Sequence, residues 1–171
     1  MTAFIALLRA VNVGGTGKLP MTELKAICEA EGFRNVRTYI ASGNVVFTAT
    51  KSEAQVKAAL EKRLEAYAGK PVGVLVRDAG EMAQVLADNP FPQAPGNRVV
   101  AIFLDGKTAP DMLKDVAHQA ADEEIALGTR EIYVRYGSGM ADSKLRIPAA
   151  KTGTARNMNT VAKLAEMASG K

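Results

Sequence analysis

The chain of 171 residues has one cysteine, one histidine and no tryptophan, and aromatic residues make up only 5% of it. A lone cysteine leaves no internal disulfide, and one cysteine with one histidine excludes the usual Cys/His metal cages. Apolar runs are short against the roughly 20 residues that a bilayer-spanning helix needs. No acidic group has the spacing of a divalent-cation loop; Asp122-Glu123-Glu124 is a contiguous run that reads as exposed. Nor does one sign of charge dominate, since 22 Lys and Arg against 18 Asp and Glu give a formal +4. What is left, at 47% hydrophobic and 23% charged, is an ordinary globular chain. Its length suffices to bury about 70% of its unfolded surface without a metal or disulfide staple. The opening Met1-Thr2-Ala3-Phe4 lacks a basic region and reads as a first strand, so a cytoplasmic chain without a membrane partner is expected.

The modest charge is unevenly placed. Residues 143–165 hold Lys144, Arg146, Lys151, Arg156 and Lys163 and no acid, leaving 17 basic against 18 acidic residues elsewhere. The opening stretch is similar: Arg9 and Lys18 meet no acid before Glu23. Two positive segments in an otherwise balanced chain fit a local anion site or a solvated basic face better than a general nucleic-acid coat.

Hydrophobic spacing sets out the elements. Phe4 to Val11 reads as a buried strand, followed by a glycine-rich turn, Asn12 to Lys18, and a helix over 20–31 with Leu24, Ile27 and Cys28 on one face. Val36–Ile40 and Val45–Thr48 flank Ala41-Ser42-Gly43-Asn44 as a hairpin. Ser52-x-x-Gln55 is a capping box ahead of Val56, Ala59, Leu60, Leu64 and Tyr67 at helical spacing. Residues 71–77 form a strand, and Asp78 caps a helix to about Asp88 with Met82, Val85 and Leu86 inward. Three prolines and a glycine between Asn89 and Asn97 make the clearest break.

The order then recurs. A strand over 98–104 precedes a helix opened by Thr108 and Pro110 and holding Leu113, Val116 and Ala120. Strands at 124–127 and 131–136 come next, then a stretch from Gly137 to Arg156 with little regular pattern, and a last helix over 157–168 with Val161, Leu164 and Ala165 on one face. The pattern predicts an α+β protein of two ferredoxin-like, split β-α-β halves with mainly antiparallel sheets. The halves are 1–88 and a partial repeat over 98–171, expected to pack as one unit.

Several polar groups invite a chemical reading. Asn12 to Lys18 joins a strand to a helix start, where backbone N–H groups and the helix dipole favour anions, and its three glycines permit close approach. It is nevertheless no P-loop, because Asn12 and Leu19 stand where Gly and Ser or Thr are required, and no dinucleotide fingerprint, because the last Gly is missing. A ligand-free βα loop explains it equally well. Ser42-Gly43-Asn44 with Tyr39 offers a hydroxyl and an amide at a hairpin tip, although Asn and Gly in a turn have a conformational use of their own. Ser42 as a nucleophile would need His118, which lies off its helix's apolar stripe and reads as solvated. Cys28 points inward and reads as an inert thiol. Near the last helix, Asn157 caps, while Arg156 aims positive charge at the positive end of the dipole unless an anion compensates. Local conflicts of this kind tend to mark function.

Leu7-Leu8-Arg9, Asn12-Val13-Gly14-Gly15, Gly32-Phe33 and the string Thr38 to Phe47 together resemble the signature of a bacterial family, domain of unknown function 1697. Asn89-Pro90-Phe91, Ser143-Lys144-Leu145 and Arg156-Asn157 with Asn159-Thr160 resemble its later motifs. Met158 departs from the family's usual Trp, and the segment between Leu145 and Thr154 is shortened by a helix. The resemblance implies an α+β fold with ferredoxin-like halves and brings no activity, cofactor or catalytic residue.

The combined expectation is a site for a small anionic or phosphorylated, nucleotide-like ligand. Its residues would be Arg9, Asn12, Gly14, Gly15, Lys18, Tyr39, Ser42, Asn44, Lys144, Arg156, Asn157 and Asn159, with the first glycine turn and the start of the last helix folding back to one pocket. No metal or cofactor is implied. Alternatives are an enzyme acting on a phosphorylated substrate, single-stranded nucleic-acid binding with a thin set of stacking aromatics, or a structural or interaction domain. Oligomeric state is not legible.

Overall fold

Alternation of wet and dry side chains is missing from the first apolar run, as expected of a strand buried on both faces. The computed structural model, which describes residues 1–9, 19–40, 43–137 and 143–169, bears this out: Phe4 to Leu8 in β1 (Thr2–Leu8) are all buried. The chain divides into two units, 1–83 with 164–171, and 84–163.

In the first unit β1 is followed by α1 (Met21–Ala30), β2 (Arg34–Thr38), β3 (Asn44–Ala49), α2 (Glu53–Ala68) and β4 (Val74–Asp78). The strands form an antiparallel sheet in the order β2-β3-β1-β4, the ferredoxin-like arrangement. Phe4, Ala6 and Leu8 of β1, Val45 and Phe47 of β3, and Val74 and Val76 of β4 share one core with Leu24 and Cys28 of α1 and Val56, Leu60 and Leu64 of α2. Phe47 stacks on Phe33 with centroids 4.5 Å apart and lies 6.2 Å from Phe4. Tyr67, spaced as though inward, is 47% exposed in the last turn of α2.

Helix ends follow the capping rules. Ser52 and Gln55 make the expected reciprocal pair, and Gly69 ends α2 in the left-handed region at φ +75°. Asp78 and Glu81 form a second reciprocal pair at the start of α3 (Ala79–Ala87). Met82 and Val85 of α3 are buried as expected, but Leu86 is 38% exposed: its position lies beyond the buried stripe.

Both borders of this sheet are modified. The outward N–H and C=O of Val74, first residue of the border strand β4, are taken by Glu61 and Lys57 of α2, which also pair with each other at 3.0 Å. On the opposite border, β2 shifts register between Arg34 and Arg37, with Asn35 left-handed at φ +53°.

The second unit contains β5 (Val99–Phe103), β6 (Glu124–Leu127), β7 (Glu131–Arg135) and β8 (Thr154–Asn157). Their antiparallel order, β6-β7-β5-β8, repeats that of the first sheet strand for strand. The protein is therefore α+β with two ferredoxin-like halves. The helices of the first half have no full counterparts here. Where a helix holding Leu113, Val116 and Ala120 is predicted, only a 3-10 turn over Pro110–Leu113 forms. Beyond it Ala117 exchanges two backbone hydrogen bonds with Arg146, and His118 adopts φ +58°, so tertiary pairing overrides helical spacing. A second 3-10 turn, Pro148–Thr152, stands where the shortened segment lies. Met112, Leu145, Ile147, Ala149 and Ala150 cover Val100, Ile102, Ile132 and Val134 in place of two helices.

Strand β8 falls in a stretch predicted to be irregular. It hides because only one of its four residues, Arg156, is buried, so no apolar alternation marks it. Asn157 then caps α4 (Met158–Ala168) by accepting from the Thr160 N–H at 2.9 Å, and Val161, Leu164 and Ala165 are buried as expected. Among the described residues, no helix is long and apolar enough to cross a membrane.

Candidate functional site

Three of the candidate residues lie at one end of the first sheet, where β1 ends beside the starts of β3 and β4. One step past β1, Arg9 donates its N–H to the Gly73 carbonyl at 2.9 Å, while Leu8 donates to Gly43 at 2.9 Å. A Cβ built on Gly73 would lie 2.9 Å from Arg9 Cδ, so the stem of Arg9 runs across a position where only glycine leaves room. Gly43, at φ +89°, turns the chain into β3. Asn44 is completely buried, and its Nδ2 donates to the Tyr39 carbonyl at 2.9 Å; the Tyr39 N–H returns a bond to the Asn44 carbonyl at 3.0 Å. These two bonds clamp the hairpin base. Ile40, next in the chain, is left-handed at φ +50° and 49% exposed.

Arg9 and Tyr39 are half-buried. They project from strands two places apart in the sheet order, a separation of about 10 Å at the usual strand spacing. The Arg9 side chain lies over Gly73 on the β4 side, while Tyr39 and Asn44 stand on the β2–β3 side of the same sheet end. Asn12, Gly14, Gly15, Lys18 and Ser42 lie outside the described residues.

The remaining candidates belong to the second unit. Arg156 belongs to β8, opposite Ala101, and immediately precedes the Asn157 cap of α4. Its Nη1 donates to Thr154 Oγ1 at 2.7 Å and to the Ala155 carbonyl at 2.9 Å, and burial lowers its pKa to about 10. Asn157 is occupied as the α4 cap. Asn159 is exposed but crosses Gly96 so closely that a side chain there would collide with it. Lys144 is exposed, next to Ser143, whose hydroxyl donates to Glu123.

A family model described as a protein of unknown function, DUF1697, matches residues 1–133. The chain belongs to this family. Among solved structures, the conserved bacterial protein SP0830 from Streptococcus pneumoniae is similar over 99% of each chain, with a TM-score of 0.81 and 24% identity. At that identity the likeness supports the fold. No curated protein matches the chain.

The part of this DUF1697 chain covered by the family model includes Arg9, Tyr39 and Asn44, whereas Lys144, Arg156, Asn157 and Asn159 lie beyond it. Other candidates in the DUF1697 chain have bland surroundings. Cys28 is fully buried, with its thiol pushed up to about 12 by burial and, secondarily, by Glu29. His118 is exposed, and among the described residues no group of three or more His, Cys, Asp or Glu is placed to hold a metal ion. Glu123 corrects the expectation of an exposed acidic run: it is buried, accepting from the Ala120 N–H at 2.8 Å and from Ser143, while Asp122 and Glu124 stay exposed. Tyr133, raised by burial, donates to the Val85 carbonyl at 2.8 Å, a structural tie. A depression of about 390 Å³ lined by Ala3, Asn35, Val36, Arg37, Thr48 and Ala168 sits toward the other end of the first sheet. Six residues along β1 separate it from Arg9, about 20 Å. The strand expected over Val36–Ile40 ends at Thr38, and Ile40 is left-handed, the reverse of what turn chemistry predicts for a β-branched residue.

Proposed function

We propose that this DUF1697 protein binds a small anionic or phosphorylated ligand, nucleotide-like in size, at the end of the first sheet that carries Arg9, Tyr39 and Asn44. The observation that carries this reading is the arrangement of Arg9: its side chain lies across Gly73, which sets a cation at the same end of the sheet as the clamped Tyr39–Asn44 hairpin. A guanidinium offers paired donors to phosphate or carboxylate oxygens, and the Tyr39 phenol adds a neutral donor. Asn12, Gly14, Gly15, Lys18 and Ser42 remain candidates for this site on sequence grounds, since a glycine-rich turn with a lysine and a hydroxyl suits an anion. The reading is confined to the first half, because Asn157 serves a helix end and Arg156 bonds within its own strand.

Calorimetry and thermal shift against a panel of nucleotides and phosphate esters test it. A ligand at one hundred times its Kd stabilises the fold by about 2.7 kcal/mol. Arg9→Ala should weaken binding at least about ten-fold, as expected for a charge-assisted pair. Gly73→Ala, by displacing the Arg9 stem, should weaken it several-fold with the fold intact. Silence across the panel, or an Arg9→Ala protein that binds as tightly as the parent, overturns the proposal.

A further inference from the structure

The register shift in β2 shapes its surroundings as well as the border. Between the Arg34–Thr48 and Arg37–Val46 pairs, Asn35 and Val36 stand against Phe47 alone. Asn35 absorbs the extra length in the left-handed region at φ +53°, which asparagine tolerates. Its Nδ2 donates to Thr48 Oγ1 at 3.3 Å, Thr48 Oγ1 donates to the Arg34 carbonyl at 3.3 Å, and Arg37 Nε donates to the Asn35 carbonyl at 3.2 Å. The bulge thus grips the guanidinium by one nitrogen. Among the described residues no other hydrogen bond or ion pair engages the Arg37 head, so its two terminal nitrogens keep their donors. Asn35, Val36, Arg37 and Thr48 line the depression of about 390 Å³ together with Ala3, which pairs with Thr48, and Ala168, the last residue of α4. Arg37 is the one charged residue of that lining, and the two alanines leave it free of bulk.

We propose that this depression binds a small monocarboxylate with a short apolar tail, the Arg37 guanidinium taking the carboxylate while Ala3 and Ala168 flank the tail. A guanidinium meets the two oxygens of a carboxylate in a planar two-bond fork. A single cation in a lining without acids matches a single negative charge, where a phosphate dianion would keep half of its charge unmet. The volume lies near the lower limit of ligand pockets, which restricts the tail to a few carbons. The bond from Nε to the bulge fixes the head in advance, so less side-chain freedom is lost on binding. This site is independent of the anion reading above, since about 20 Å along β1 separates it from Arg9.

The experiment is a titration of the full chain with acetate, butyrate and butyramide, followed by amide chemical shifts. Butyrate should shift Val36, Arg37, Thr48 and Ala168 saturably in the millimolar range. It should bind about ten-fold more tightly than acetate, since each methylene taken out of water is worth about four-fold. Butyramide, of the same shape without the charge, should bind at least about ten-fold more weakly than butyrate. Arg37 is exposed, so Arg37→Gln should keep the parent's melting temperature and bind butyrate no better than butyramide. Ala168→Leu, which fills the space beside the tail, should abolish butyrate binding with Arg37 in place. Arg9→Ala should bind butyrate as the parent does, which separates this site from the one at the other end of the sheet. Equal affinity for butyrate and butyramide, butyrate binding that survives Arg37→Gln or Ala168→Leu in a folded chain, or no saturable shift at these residues overturns the proposal.

Discussion

Asn44 is the residue on which the geometry of the first sheet's end depends most directly, and removing its amide gives a measurable consequence. Its Nδ2 is fully buried and donates to the Tyr39 carbonyl at 2.9 Å. Asn44→Ala leaves that carbonyl without this donor, at a cost of about 2 kcal/mol. For a chain of this length the melting temperature should fall by about 6 °C. Asn44→Asp is the sharper test. Its ionised carboxylate would place an acceptor against the Tyr39 carbonyl in a buried position, which raises the folded-state pKa of the new group above its unfolded value of about 3.9. The sign follows: the folded state favours the protonated acid, which can donate as the amide does, so relative stability is retained below about pH 4 and is lost as pH rises through the raised value. Urea unfolding followed by circular dichroism at pH 4.5 and pH 7 gives both quantities. The Asp variant should be less stable than the Ala variant at pH 7, and the gap should narrow at pH 4.5. An Ala variant within about 0.5 kcal/mol of the parent, or an Asp variant whose deficit ignores pH, would refute the clamp.

Three other outcomes are expected. Phe47→Ala, which removes a fully buried ring stacked on Phe33 at 4.5 Å, should cost about 4 kcal/mol in denaturant unfolding. Asn157→Ala should cost about 1 kcal/mol through the lost α4 cap and leave binding of phosphate esters unchanged. Cys28, with its thiol at about 12 against an ordinary 9.0, should resist a disulfide reagent at pH 8 until the chain unfolds. Because its folded pKa is the higher one, its contribution to stability should be whole below pH 9 and lost between about 9 and 12, a loss absent from Cys28→Ala.

The two halves were legible in the sequence to different depths, for physical reasons. In the first, apolar spacing and end signals agree: the Ser52 box, the Asp78 cap and the dense run in β1 each predict what forms. In the second, the strands β5 to β7 show through, but the covering segments do not. A run holding Leu113 and Val116 has helical spacing, yet the Ala117–Arg146 pairing decides its shape, and that partner is 29 positions away in the chain. β8 is hidden because its one buried side chain is an arginine. Arg156 stands where expected, just before the Asn157 cap, but the strand that leads it there was not legible. Of the candidate site, Arg9, Tyr39 and Asn44 could be picked out as polar residues at element ends. The left-handed turn at Ile40 could not be foreseen, since a β-branched residue there runs against turn chemistry.

The treatment of the first sheet's two outer strands limits how molecules of this protein can meet. A row of open amides along a straight margin is a template onto which a second copy can add. On one margin the Lys57–Glu61 pair already occupies the amide and carbonyl of the leading residue; on the other a kink turns the row out of line. Substitutions that trimmed α2 of this pair and straightened Asn35 together would convert a self-contained sheet into one open to fibrous growth, even where each alone barely altered the melting curve.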